Sequence, residues 1–85
     1  MTRILIVDDD RQMRRTLQIM MERLGYTSTA VGNGDDALQV LRSEHYDLVL
    51  TDLRMPRMSG LELLEEMRQV DLTLPVIVIL SLIHI

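Results

Sequence analysis

Four aspartates carry the chemistry open to this sequence. Asp8, Asp9 and Asp10 follow directly on the apolar stretch Ile4-Leu5-Ile6-Val7, and Asp52 follows Leu48-Val49-Leu50 and one threonine. Carboxylates gathered in one place repel, and a proton or a cation must relieve them. An all-oxygen set with open positions suits Mg2+, which keeps waters and takes one or two carboxylates together with phosphate oxygens. The plain alternative is that these are solvated loop carboxylates and helix caps. Asp10 fits that reading, as the cap of a following helix. For Asp8, Asp9 and Asp52 the placement after two similar strands favours a shared site.

Whether they meet depends on the elements that hold them. Ile4 to Val7 is continuously apolar and β-branched, the pattern of a strand buried on both faces. Met13, Leu17, Met20 and Leu24 recur at helical spacing, and Gly25 supplies a stop. Tyr26 to Val31 reads as a more polar strand at a sheet edge. Asn33-Gly34 turns the chain, Asp35 or Asp36 starts a second helix, and Ala37, Leu38 and Leu41 form its apolar side. Asp47 to Thr51 is another buried-type strand. In the loop from Leu53 to Met58, Pro56 disfavours strand and helix alike. Ser59-Gly60-Leu61-Glu62 matches a capping box, with Leu61, Leu64 and Met67 as the inward stripe of a third helix. Pro75 introduces a last strand. The order β-α-β-α-β-α-β predicts an α/β fold with parallel strands. If the strands lie in the order 2-1-3-4, the first and third are neighbours, and Asp8, Asp9 and Asp52 converge where ligands bind in doubly wound sheets.

Composition narrows the possibilities. The chain's 85 residues suffice for one small domain. A net charge of −4 gives no reason to expect nucleic-acid binding, which usually needs a basic face. All nine basic residues are Arg, and there is no Lys or Cys, which removes disulfides and thiolate metal sites and suits a cytoplasmic setting. The N-terminal apolar run is too short for a secretory signal. The stretch from Leu72 to Ile85 is 14 residues long, against roughly 20 for a membrane span.

The segments "ILIVDDD", "DLVLTDLRMPRMSGLELL" and "LPVIVI" resemble the receiver domain of two-component response regulators, the CheY-like family, over residues 3–79 in order and spacing. The flavour is that of regulators with a downstream transcription-activating module. The resemblance implies a flavodoxin-like sheet and a non-enzymatic signalling role. By it, Asp52 is the phosphoacceptor, taking a phosphoryl group from a phosphohistidine on a sensor histidine kinase. Asp9 and Asp52 ligate Mg2+ with the backbone carbonyl of Arg54, and Asp8 acts through a metal-bound water. Pro56 and Gly60 shape the adjoining loop, helix 1 with Arg11, Arg14 and Arg15 is a kinase-docking face (a solvated helix surface explains the three arginines equally well), and a DNA-binding output domain lies outside this chain.

Two departures qualify the resemblance. The family carries Thr or Ser where Leu80 stands, with Ser81 one place late, and a Lys on a fifth strand that this chain lacks. The expectation is an incomplete receiver domain at 1–79 with a foreign apolar tail at 80–85. Such a chain, alone, is expected to be marginally stable or to aggregate. Three rivals remain. One is a phosphorylation-independent interaction domain. A second is an aspartate-nucleophile phosphatase, for which Gln12 stands where Thr or Val is wanted. A third is a flavodoxin-like nucleotide site, whose phosphate the aspartates would repel.

Overall fold

The computed structural model describes residues 2–52, 58 and 60–79. Leu53, Arg54, Pro56, Arg57, Ser59 and the 80–85 tail, with Leu80 and Ser81, lie outside the described residues. Among the described residues four strands and three helices alternate: β1 (Arg3–Val7), α1 (Arg11–Arg23), β2 (Thr27–Val31), α2 (Gly34–Ser43), β3 (Leu48–Asp52), α3 (Gly60–Val70) and β4 (Val76–Ile79). All pairings are parallel, in the order β2-β1-β3-β4. The predicted fold class and strand order hold, and β2 lies at the edge.

Alternation of side chains along β1 divides the core in two. Leu5 and Val7 face α2 and α3, packing with Ala37, Leu38, Leu41, Val49, Leu63 and Met67. Ile4 and Ile6 face the other way with Leu50, under Leu17 and Met21 of α1. Helices on both faces bury Ile4 to Val7 of β1, as that unbroken apolar run requires.

The helix starts are written in short polar side chains. Asp10 caps α1, accepting from Gln12 N at 2.9 Å and Met13 N at 3.4 Å. Gly25, at φ +89°, ends the segment in the left-handed region that glycine enters at least cost. Asn33 caps α2 by accepting from Asp36 N at 2.8 Å. That helix therefore begins at Gly34, and not at Asp35 or Asp36 as expected.

Three other expectations are corrected. Met20 and Leu24 are 49% and 64% exposed. Met21 takes the inward place in α1, and Leu24 lies past its last residue as the C-cap. Leu61 is 62% exposed, whereas Leu63 and Met67 are buried. At about 100° per residue Leu61 stands roughly opposite Leu63 on the helix, so both cannot face the sheet. Asp52 is the last residue of β3 instead of the first beyond it, and Tyr46 is fully packed.

Candidate metal and phosphoryl site

Strand register brings the acidic residues together. Val7 pairs with Thr51, so Asp8 and Asp52 come next on adjoining parallel strands. One carboxylate oxygen from each of Asp8, Asp9 and Asp52 lies within 4.8 Å of the others. Asp8 and Asp52 are buried, and Asp9 is exposed at the mouth. The three residues expected to converge do converge. The fourth expected ligand, the carbonyl of Arg54, falls outside the described residues.

The pocket binds Asp8 tightly to its surroundings. Its N–H donates to Val31 O at 3.1 Å, its Oδ1 accepts from Asp10 N at 2.9 Å, and its carbonyl accepts from Arg14 Nη1 at 2.8 Å. Burial raises the Asp8 carboxyl above the ordinary aspartate range. The Asp10 N–H opposes that, and the charges of Asp52, Asp9 and Asp10 reinforce it. Beneath the site Thr51 is wholly buried, and its hydroxyl donates to Asp52 O at 3.2 Å.

These features fit a hard divalent cation. The donors are all carboxylate oxygens, close enough for one ion to reach, and burial with mutual repulsion gives them reason to bind positive charge. The site keeps an exposed side at Asp9, which leaves room for water or a phosphate oxygen.

The arginines divide. Arg14 folds back onto Asp8, a contact that sequence alone gave no reason to prefer over solvation. Arg11 and Arg15 are exposed on α1, where with Arg14, Ile19, Glu22 and Ala30 they line a groove of about 380 Å3. Met58, beyond β3, reaches the first turn of α2 and was not foreseen at all. His45 lies past the C-cap of α2 and bonds Asp47 at 3.3 Å, away from the acidic site.

Comparison with known proteins agrees with this geometry. Over 74 residues the chain is 47% identical to the sensor histidine kinase RcsC of Escherichia coli strain K12, covering 87% of this chain and 8% of that protein. The response regulator protein TrrA of Thermotoga maritima, solved in complex with Mg2+-BeF, superposes with a TM-score of 0.92 at 37% identity, covering 99% of this chain and 73% of that one. TrrA in complex with the histidine kinase ThkA gives a TM-score of 0.90, again at 37% identity, over 99% and 72% of the two chains. The chain thus spans a small part of RcsC and about three-quarters of TrrA. Residues 4–82 match the family described as the response regulator receiver domain, and with the sheet order and the acidic cluster in place, the chain belongs to that family.

Proposed function

We propose that this chain is the phosphoryl-accepting module of a two-component system, with Asp52 as acceptor and a sensor histidine kinase as donor. The observation that carries the reading is the convergence of Asp8, Asp9 and Asp52 at the ends of β1 and β3. A carboxylate oxygen of Asp52 attacks phosphorus, the bond to the donor imidazole nitrogen breaks, and the nitrogen keeps the electron pair and takes up a proton. Asp52 sits at the end of a buried strand, which fixes its approach and limits competition from water. Asp8, Asp9 and Asp52 would hold Mg2+, with the Arg54 carbonyl as a further ligand. When bound, the cation neutralises the carboxylates and the charge on the phosphoryl oxygens.

The partners follow from the same reading. TrrA, a relative over nearly the whole of this chain, has been seen with a histidine kinase, and the exposed Arg11 and Arg15 on α1 offer positive charge beside the acidic mouth. An output domain, of the DNA-binding class that transcription regulators carry, would read the phosphorylated state. Phosphohistidine donors place the module in the cytoplasm. Among the described residues no helix is long and apolar enough to cross a membrane.

Incubation with Mg2+ and a small acyl phosphate, followed by intact mass, tests the reading. A phosphoryl adduct that disappears in Asp52→Asn and in EDTA is the expected result. Continuous phosphate release that depends on Asp8 would instead indicate an aspartate-nucleophile phosphatase. No adduct under any donor would favour a phosphorylation-independent interaction domain.

A further inference from the structure

Of the three bonds that fix Asp8 among the described residues, two come from the main chain of Val31 and Asp10, its immediate surroundings. The third comes from a long side chain. Arg14 lies on the first turn of α1 and returns its guanidinium 2.8 Å from the Asp8 carbonyl. A slot at Gly32, just after β2, admits it: a Cβ there would stand 3.1 Å from Arg14 Nη1 and 3.6 Å from Cζ. Gly32 has no conformational need to be glycine, since the positive φ belongs to Gly25. The missing side chain supplies room.

We infer that Arg14 and Gly32 form a positioning pair for the Mg2+ site, an inference that rests on the reading of Asp8, Asp9 and Asp52 proposed above. β1 ends at Val7, so the Asp8 carbonyl lies just past the strand, where a polar main-chain group still needs a partner. Arg14 provides it. That carbonyl belongs to the planar peptide unit joining Asp8 to Asp9, so holding its oxygen fixes the orientation from which both side chains leave the backbone. The guanidinium addresses the main chain and not a carboxylate, leaving the carboxylate oxygens to the cation. Arg14 therefore acts through Asp8 and Asp9, as groups behind metal ligands commonly do.

The test is calorimetric Mg2+ titration, with the thermal midpoint in EDTA measured beside it, for the unsubstituted chain, Arg14→Gln, Arg14→Lys, Gly32→Ala and the double variant Arg14→Gln/Gly32→Ala. Arg14→Gln is expected to weaken Mg2+ binding by about tenfold. Arg14→Lys should recover part of that loss. Gly32→Ala should weaken binding in the same direction, and the double variant should be no weaker than Arg14→Gln alone, because both act through one contact. Metal-free midpoints should change little. Affinity unchanged in Arg14→Gln, or losses that add in the double variant, would overturn the inference. So would a lowered midpoint with affinity intact, the mark of a purely structural contact. Should Arg14→Gln fail to fold, unchanged affinity in both Arg14→Lys and Gly32→Ala gives the same negative answer. An unsubstituted chain whose Mg2+ binding is absent or indifferent to Asp8→Asn overturns the site itself, a different result from loss of the Arg14 effect alone.

Discussion

Val7 and Thr51 are partners in parallel register, and through that pairing Asp8 and Asp52 stand side by side as the next residues of their strands. Both are nearly inaccessible to solvent, at 3% and 2% exposure. A folded chain ordinarily avoids burying two like charges together. Here apolar strands on either side hold them in place, and the repulsion is kept as binding potential for a cation.

Replacing Asp8 by Asn should therefore raise stability while removing one carboxylate from the candidate metal site. Burial raises the folded-state carboxyl above its unfolded value of 3.8. The sign follows: the folded protein retains this proton to higher pH than the unfolded chain does. The contribution is most favourable below the unfolded value and is lost as pH rises through the folded one. At neutral pH the ionised group is a standing cost. Asparagine keeps an oxygen to accept from Asp10 N and carries no charge. Asp8→Asn should melt a few degrees higher at pH 7 in EDTA, with the gain vanishing toward pH 3, and thermal scans across pH measure both.

At the opposite end of the sheet Arg3 joins β1 to the segment before β3. Its guanidinium lies 4.7 Å from the Tyr46 ring centroid and donates to His45 O at 2.8 Å, while its own N–H donates to Asp47 Oδ2 at 2.8 Å. Arg3→Met keeps the stem but loses the stacked charge and the bond to His45, and should cost about 1 kcal/mol in urea unfolding. The Arg3 N–H, followed by His45, holds the Asp47 carboxyl below its ordinary value. Its stabilisation is present above the unfolded value of 3.8 and disappears as pH falls through the folded one. Asp47→Asn should accordingly flatten the acid limb of the stability profile.

The strands and the acidic cluster were legible because each signal was local. The unbroken apolar run Ile4 to Val7 pointed to burial on both faces, which β1 shows, and a carboxylate just past such a run must sit at a strand end. Helix faces were less so. Leu61, Leu64 and Met67 obey helical spacing, yet so do Leu63 and Met67, the pair that packs into the core, and spacing alone does not say which arc of the helix faces the sheet. The contacts of Arg14 with Asp8 and of Arg3 with Tyr46 were invisible for another reason. Each joins residues that no pattern associates, through a gap that only the assembled backbone creates.

Gly34 and Met58 show the same kind of fit. A Cβ on Gly34 would lie 2.7 Å from Met58 Sδ and 3.3 Å from its Cβ and Cγ, a clash reaching the root of the side chain as well as its flexible end. Gly34→Ala should thus destabilise the fold by about 1–3 kcal/mol despite the better helix propensity of alanine. Met58→Ala in the same chain should restore part of the loss, because it vacates the volume that the new methyl needs. A chemical-denaturation double-mutant cycle measures the coupling, and additive losses would place the strain elsewhere.

The last prediction concerns β4. Among the described residues it pairs with β3 alone, Leu50 against Ile77, and its outer side carries no strand. Ile77 is 51% exposed. An apolar edge with unpaired main-chain groups is a template for strand addition, and a charge placed on it is a recurrent protection. Ile77→Lys should lower self-association of the 85-residue chain at high concentration, measured by sedimentation velocity, while leaving the far-ultraviolet circular dichroism unchanged. The position is half in solvent, so the lysine ammonium can remain hydrated and the folded state loses little packing. Association that persists undiminished in the lysine variant would show that copies meet through another face, and the exposed Leu61 on α3 would become the next surface to charge.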